Sequence, residues 1–261
     1  MPKHAKNIAL LVMQLSEKVG LYILKNIAAI EKPLRQRRNI KGAYMLNQQK
    51  GNMYGFVTHT WNTVKGECSH DCGYCYMKKW GKLNPVRFDN KELKTDLGEN
   101  NFIFVGSSND LFASDLPNDY IWNTINHCKK FKKNEYLFQT KNPNRMLFYQ
   151  FPKHTTFIVT IESDIDYEDC KAPCIIDRLE AFKMIPKDHH RMITIEPIMD
   201  FTENFPEILI DAKPDQINIG ADSGNNKLNE PDTSKIHYLI TRLKASGIKV
   251  FLKDNLKRIY K

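Results

Sequence analysis

A chain of 261 residues, 41% hydrophobic and 26% charged, can bury a full core and fits one α/β domain of barrel size. No apolar window is long enough to cross a membrane, because Glu17 and Lys18 interrupt the run that starts at Ile8–Met13 before it reaches Ile30. No secretory leader pattern is present, so the six cysteines suit a reducing cytoplasm better than a disulfide framework, and the expected location is cytoplasmic.

The first thirty residues carry a helical apolar stripe: Ile8, Leu11, Val12, Leu15, Val19, Tyr22, Ile23, Ile27 and Ile30, divided or kinked at Gly20. Pro33 ends it, and the basic run Lys32-Pro-Leu-Arg-Gln-Arg-Arg-Asn-Ile-Lys41 follows. Residues 1–50 hold ten Lys/Arg against two Glu, +8 of the total +9. Residues 32–41 can therefore track the phosphates of DNA or RNA. Equally, they can form a solvated face, meet an acidic protein or, less well given their few serines, belong to a mitochondrial presequence. The chain divides into a basic helical extension, 1–50, and a partial α/β barrel, 51–261.

From Tyr54 onward short apolar strands alternate with helical segments. The strands are Phe56–Thr60, Phe102–Val105, Tyr136–Gln139, Phe157–Ile161, Met192–Ile195, Gln216–Ile219 and Lys249–Leu252. Between them Tyr120–Phe131, Ile175–Met184 and Ile236–Ser246 read as helices. This alternation predicts an α/β fold, a partial (β/α) barrel of about six to seven parallel strands. Polar residues sit just after nearly every strand: Ser107, Ser108 and Asp110; Thr140 and Lys141; Glu162; Glu196; Asp222; Lys253. A barrel gathers such ends on one rim, where active sites form. Helix capping or turn chemistry explains any one of them, but not the repetition.

The loop after the first strand reads Glu67-Cys-Ser-His-Asp-Cys-Gly-Tyr-Cys-Tyr76. Cys68, Cys72 and Cys75 can hold a four-iron cluster and leave one iron free for a substrate or cofactor. The competing reading is structural zinc, completed by His70 or by a distant residue such as Cys170 or Cys174. Without a metal, Cys128, Cys170 and Cys174 read as small apolar residues.

The Cys-x3-Cys-x2-Cys spacing, with aromatic Tyr74 before the last cysteine, resembles the signature of the radical S-adenosylmethionine (radical SAM) superfamily. Phe104–Phe112, Thr140–Arg145, Thr194–Ile198, Ile219–Gly224 and Val250–Lys253 are similar, in order, to a phage-associated radical-SAM-like family of unknown function. That likeness covers roughly residues 54–255, although the family's first two cysteines are usually further apart. A looser likeness, in general architecture, is to DNA-repair lyases of the spore photoproduct type. The resemblance implies a 4Fe-4S cluster on Cys68, Cys72 and Cys75 that binds and cleaves S-adenosyl-L-methionine to abstract hydrogen from a substrate. It also implies an electron donor such as flavodoxin or ferredoxin. Gly106-Ser107-Ser108 stands where the superfamily usually carries a Gly-Gly-Glu-like motif, so backbone carbonyls or the Ser107 and Ser108 hydroxyls would meet the methionine amino group. On this reading Lys141 pairs with the methionine carboxylate, Glu162 with the ribose, and Tyr74 supports the adenine. Thr140 is counted with them, and Asp110 serves the site or caps the next helix. Glu196 and Asp222 hold the substrate or relay a proton. The substrate class that fits the basic extension is nucleic acid or nucleotide. The alternative is a non-catalytic, zinc-stabilised nucleic-acid-binding protein on a barrel scaffold.

Overall fold

The computed structural model describes residues 46–49, 54–168, 170–224 and 226–261. The predicted helices of residues 8–30 and the basic run 32–41 lie outside them. Ten strands are found among the described residues. They are β1 (Asn47–Gln48), β2 (His59–Trp61), β3 (Val64–Lys65), β4 (Arg87–Phe88), β5 (Phe102–Val105), β6 (Glu135–Thr140), β7 (Thr155–Thr160), β8 (His190–Ile195), β9 (Gln216–Ile219) and β10 (Lys249–Leu252). Eight of them make one sheet in the order β1-β2-β5-β6-β7-β8-β9-β10, and β3 with β4 forms a separate antiparallel ribbon.

From β2 to β10 every neighbouring pair is parallel, seven strands in all, while β1 adds to β2 antiparallel. Among the described residues β10 does not pair back to the first strands, so the sheet is an open, mostly parallel α/β layer of the partial-barrel kind. Asn47 and Gln48, assigned from sequence to the extension, are thus part of this sheet. The first predicted strand is displaced toward Trp61. A turn closed by the Val57 amide on the Tyr54 carbonyl (3.0 Å) occupies its start, and pairing begins at His59.

The helices are α1 (Asn118–Lys130), α2 (Pro143–Met146), α3 (Ile175–Met184), α4 (Phe205–Ala212) and α5 (Thr233–Ala245). α1 buries Ile121, Thr124, Ile125 and Cys128, a stripe at helical spacing. Asp232 caps α5 by accepting from the Lys235 amide at 2.8 Å. Pro206 fits the first turn of α4, where no backbone donor is missed. α2 and α4 were not foreseen from sequence.

The strand period of two sorts the core onto two faces. Ile103, Val105, Tyr136, Phe138, Phe157, Val159, Ile193 and Ile195 point toward the helices and join Phe112, Phe182 and Phe205 in the main core. Phe104, Leu137, Ile158 and Met192 point the other way and pack with Tyr54 and Val57. All six residues of β7 and all four of β9 are buried, as a doubly covered parallel sheet requires, whereas Lys249, Phe251 and Leu252 of edge strand β10 are exposed. No helix among the described residues is long and apolar enough to cross a membrane.

Candidate active site

On the face that carries Leu137, Ile158 and Met192, three central strands repeat one gradient. Two residues on come Gln139, Thr160 and Thr194, and two further on come Lys141, Glu162 and Glu196. Each strand therefore runs from apolar to polar to charged as it approaches its C-terminal end. Gln139 links the middle of this gradient, accepting from Tyr54 Oη at 2.9 Å and donating to Thr160 Oγ1 at 3.2 Å.

At the rim Glu162 is the hub. Its carboxylate is paired with Lys141 on one oxygen, which also accepts from Tyr74 Oη, and with Arg178 Nη1 of α3 at 2.8 Å on the other. Lys141 Nζ also donates to Tyr74 Oη at 2.7 Å and lies 4.7 Å from the centre of that ring. Burial would raise the Glu162 carboxyl, but Lys141 and Arg178 outweigh it and hold the group at about 2. Burial and the neighbouring Glu162 charge push the Tyr74 phenol far up, so it stays a donor.

A second hub is Asp110, whose side chain is 10% exposed. It accepts from Thr140 Oγ1 (2.8 and 2.9 Å), the Lys141 amide (2.8 Å) and the Phe112 amide (2.9 Å), and His70 Nε2 lies 2.9 Å away. Burial works against its charge, yet His70 and these donors keep the carboxyl below its ordinary value. Asp110 thereby ties the cysteine loop, through His70, to the ends of β5 and β6. Asn109 grips the start of the loop, donating to the carbonyls of Gly66 (3.2 Å) and Glu67 (2.7 Å).

Within the loop, turns are closed by the Asp71 amide on the Cys68 carbonyl (3.0 Å) and the Cys75 amide on the Cys72 carbonyl (3.1 Å). Cys68 packs against the main core, and burial and the Asp110 charge push its thiol up to about 12. Cys72 is turned toward Cys170, with 3.0 Å between the sulfurs. The Cys170 loop is docked on the cysteine loop by its neighbour: the Lys171 amide donates to the His70 carbonyl (2.7 Å), and Lys171 Nζ meets Asp71 (3.0 Å). Of that thiol pair Cys170 ionises first. It takes the Cys72 hydrogen bond and, although burial opposes the charge, lies near Lys141. Cys170 and Cys174 also line a cavity of about 240 Å³ with Tyr74, Glu162, Tyr167 and Arg178. They are therefore cavity-wall residues, unlike Cys128, which is fully buried in the core.

Of the remaining predicted residues, Glu196 is paired with Lys253 and accepts from Asn255 Nδ2 at 2.9 Å. Gly220 allows this approach, since a Cβ there would lie 2.9 Å from both Glu196 Oε1 and Asn255 Oδ1. Asn255 Oδ1 is buried without a partner among the described residues, an acceptor facing the carboxylate's end of the rim. Asp222 is taken up by its own loop, accepting from the Gly224 amide (2.9 Å) and Asn226 Nδ2 (2.7 Å). Ser107 Oγ and the Ser108 amide are held by Asn62 (3.1 and 3.0 Å). Cys72, Tyr74, Lys141 and Glu162 thus form one contiguous group. Cys68, Asp110 and Thr140 form an adjoining one, and Glu196 and Asp222 sit further along the rim. Arg178, Tyr54 and Asn109 complete the site without having been singled out as its members from sequence, and Cys170, weighed there as a zinc ligand or a packed thiol, lies beside Cys72. For Arg178 the signal was a lone cation on the buried side of an amphipathic helix.

The donor set has the chemistry a 4Fe-4S cluster needs: three thiols in one short loop beside a charged rim that can receive an amino-acid cofactor. In the present arrangement no three His, Cys, Asp or Glu side chains among the described residues are gathered closely enough to hold a metal ion.

No protein-family model matches the chain, and no curated protein matches it. Solved structures do. A spore photoproduct lyase double mutant with bound AdoMet and dinucleoside spore photoproduct aligns over 78% of each chain, with a TM-score of 0.56 and 10% identity. A tyrosine-to-phenylalanine mutant of that lyase aligns over 80% of each chain, with a TM-score of 0.59 and 9% identity. The lyase complexed with dinucleoside spore photoproduct aligns over 78% of each chain, with a TM-score of 0.56 and 10% identity. The chain has the fold of these spore photoproduct lyase structures. At about a tenth of residues identical, the likeness to these lyase structures is one of fold, and it does not address the phage-associated family.

Proposed function

We propose that the chain is a radical SAM enzyme acting on a nucleic acid or nucleotide, in modification or repair. The observation that carries this reading is the coincidence of a Cys-x3-Cys-x2-Cys loop with the charged C-terminal strand ends of a sheet that has the spore photoproduct lyase fold. Cys68, Cys72 and Cys75 would hold a 4Fe-4S cluster. Bound there, it would supply one-electron reductive cleavage of S-adenosyl-L-methionine and thereby hydrogen abstraction from a substrate, the electron coming from a donor such as flavodoxin or ferredoxin.

The protein's own residues orient the cofactor and exclude water. Lys141 offers the methionine carboxylate a cation already fixed by Glu162, and Glu162 offers the ribose an acceptor that stays ionised throughout the physiological range. Tyr74, locked beside both, would support the adenine. Ser107 and Ser108, oriented by Asn62, would meet the amino group, while Asp110 and Thr140 fix the start of the Lys141 loop. Glu196, with Lys253 and Asn255 around it, is the better placed of the two substrate carboxylates. Asp222 shapes the loop beyond. The setting is cytoplasmic.

One observation favours a second reading. The Cys72–Cys170 contact supplies a fourth thiol, which would suit a closed, four-thiolate zinc site in a non-catalytic nucleic-acid-binding protein. The discriminating experiment is reductive cleavage of added S-adenosyl-L-methionine by anaerobically reconstituted protein given dithionite. Release of 5′-deoxyadenosine that Cys72→Ala abolishes while the circular dichroism spectrum is unchanged supports the enzyme. No release, with zinc bound and local unfolding in Cys72→Ala, supports the scaffold.

A further inference from the structure

Directly after Cys75 the chain makes a 3-10 turn, Tyr76–Trp80, none of whose side chains is buried. Trp80 is 71% exposed and Tyr76 48% exposed. The two large rings on one short turn offer faces on which a flat aromatic group can stack. Lys79 Nζ serves both rings, 5.9 Å from the centre of Tyr76 and 5.7 Å from that of Trp80. Lys78, Lys79, Lys82 and Arg87 are all exposed on the same short segment. Lys78 is paired with Asp71 at 2.9 Å, whereas Lys79, Lys82 and Arg87 have no carboxylate partner among the described residues. The turn is not a loose tip, because Tyr76 Oη donates to the Ser107 carbonyl at 2.7 Å and pins it to the rim beside the β5 loop.

We propose that Tyr76, Lys79, Trp80 and Lys82 form a stacking platform for single-stranded nucleic acid, leading an unstacked base toward the cysteine loop. The physical match is specific. Aromatic faces stack on bases only where these are not already stacked in a duplex, and neighbouring lysines neutralise the phosphates between them. An apolar protein partner would leave three unpaired cations against its surface, and an acidic peptide would leave the rings unused. The proposal rests on the reading of the site as one that acts on nucleic acid, and it names where the strand enters.

Binding is measured without the cluster, so its failure is distinct from failure of the radical chemistry, which would show as absence of iron. The full chain under reducing conditions is titrated into a labelled oligothymidylate of about a dozen nucleotides at several salt concentrations, a length within the span of single-strand grooves. Trp80→Ala should weaken binding about tenfold, the loss of one stacked base. Lys79→Gln with Lys82→Gln should flatten the dependence of log affinity on log salt by about 1.4, two phosphate contacts on a single strand. Trp122→Ala, at an exposed position on α1, should bind like the wild type. Quenching of tryptophan fluorescence by the oligonucleotide should disappear in Trp80→Ala and persist in Trp122→Ala. The proposal is overturned if Trp80→Ala binds as tightly as the wild type, if a duplex of equal length binds equally well, or if polyglutamate of matched charge competes as effectively as the oligonucleotide.

Discussion

Replacing Glu162 by Gln keeps the shape of the rim hub and removes its negative charge. The structure sets the size of the effect. The carboxylate is buried, with Lys141 and Arg178 on its two oxygens, and its acidity moves from an ordinary 4.5 to about 2. At roughly 1.4 kcal/mol for each tenfold change, that gap is worth about 3 kcal/mol of folding stability at neutral pH. It agrees with the roughly 3–5 kcal/mol expected when one partner of a buried ion pair is lost and the other stays desolvated. The sign follows from the depressed acidity: the contribution is present above the unfolded value of 4.5 and is lost as pH falls toward about 2. The assay is anaerobic urea denaturation of both proteins with reductant present. At pH 7 the midpoint of Glu162→Gln should fall by roughly 1 M, taking a slope of about 2.5 kcal/mol per M. At pH 3.5 the gap between the two proteins should narrow by about 1.4 kcal/mol. S-adenosyl-L-methionine should also bind the reconstituted variant more weakly. A destabilisation below about 1 kcal/mol that does not vary with pH would refute the buried charge hub, and unchanged cofactor binding would remove Glu162 from the cofactor's neighbours.

Asp110→Asn should cost about 2–4 kcal/mol, because one of its crowded acceptor oxygens becomes a donor facing Thr140, the Lys141 amide or His70. Faster proteolysis within residues 66–75 would report the loosened cysteine loop. Mild oxidation of metal-free protein should lower its mass by two hydrogens and yield one cross-linked peptide pair joining Cys72 to Cys170. The oxidised protein should take up iron only after reduction, and cross-links spread over the other cysteines would refute that pairing. Gly220→Ala forces a methyl group to within 2.9 Å of Glu196 and Asn255. It should cost about 1–3 kcal/mol in thermal or urea unfolding, whereas Gly55→Ala, where nothing lies within 4 Å, should not.

The parallel sheet was legible because each buried strand is a short apolar run closed by polar residues, and the order Lys141, Glu162, Glu196 along the chain is the order of their strands in the sheet. The finer pattern was also written there: Leu137-x-Gln139-x-Lys141, Ile158-x-Thr160-x-Glu162 and Met192-x-Thr194-x-Glu196 repeat one inward-facing gradient at a spacing of two. Other features depend on tertiary proximity that no local pattern encodes. Cys170 meets Cys72 across 98 positions, and although Arg178 falls on the buried side of α3, nothing along the chain names Glu162 as its partner. His70, a zinc candidate by composition, spends its ring on Asp110 instead. Asp222 stood out for its place after β9, yet Gly224 and Asn226 that follow make it a loop organiser. The short helices α2 and α4 escaped for lack of length, four and eight residues being too few to establish a period.

The most direct test of the central claim is the metal content of anaerobically reconstituted protein, with the electron paramagnetic resonance spectrum of its reduced form recorded before and after adding S-adenosyl-L-methionine. The account predicts about four irons and four sulfides per chain on Cys68, Cys72 and Cys75, with a signal that shifts when the cofactor binds. One zinc per chain, no iron uptake and no response to the cofactor would contradict it.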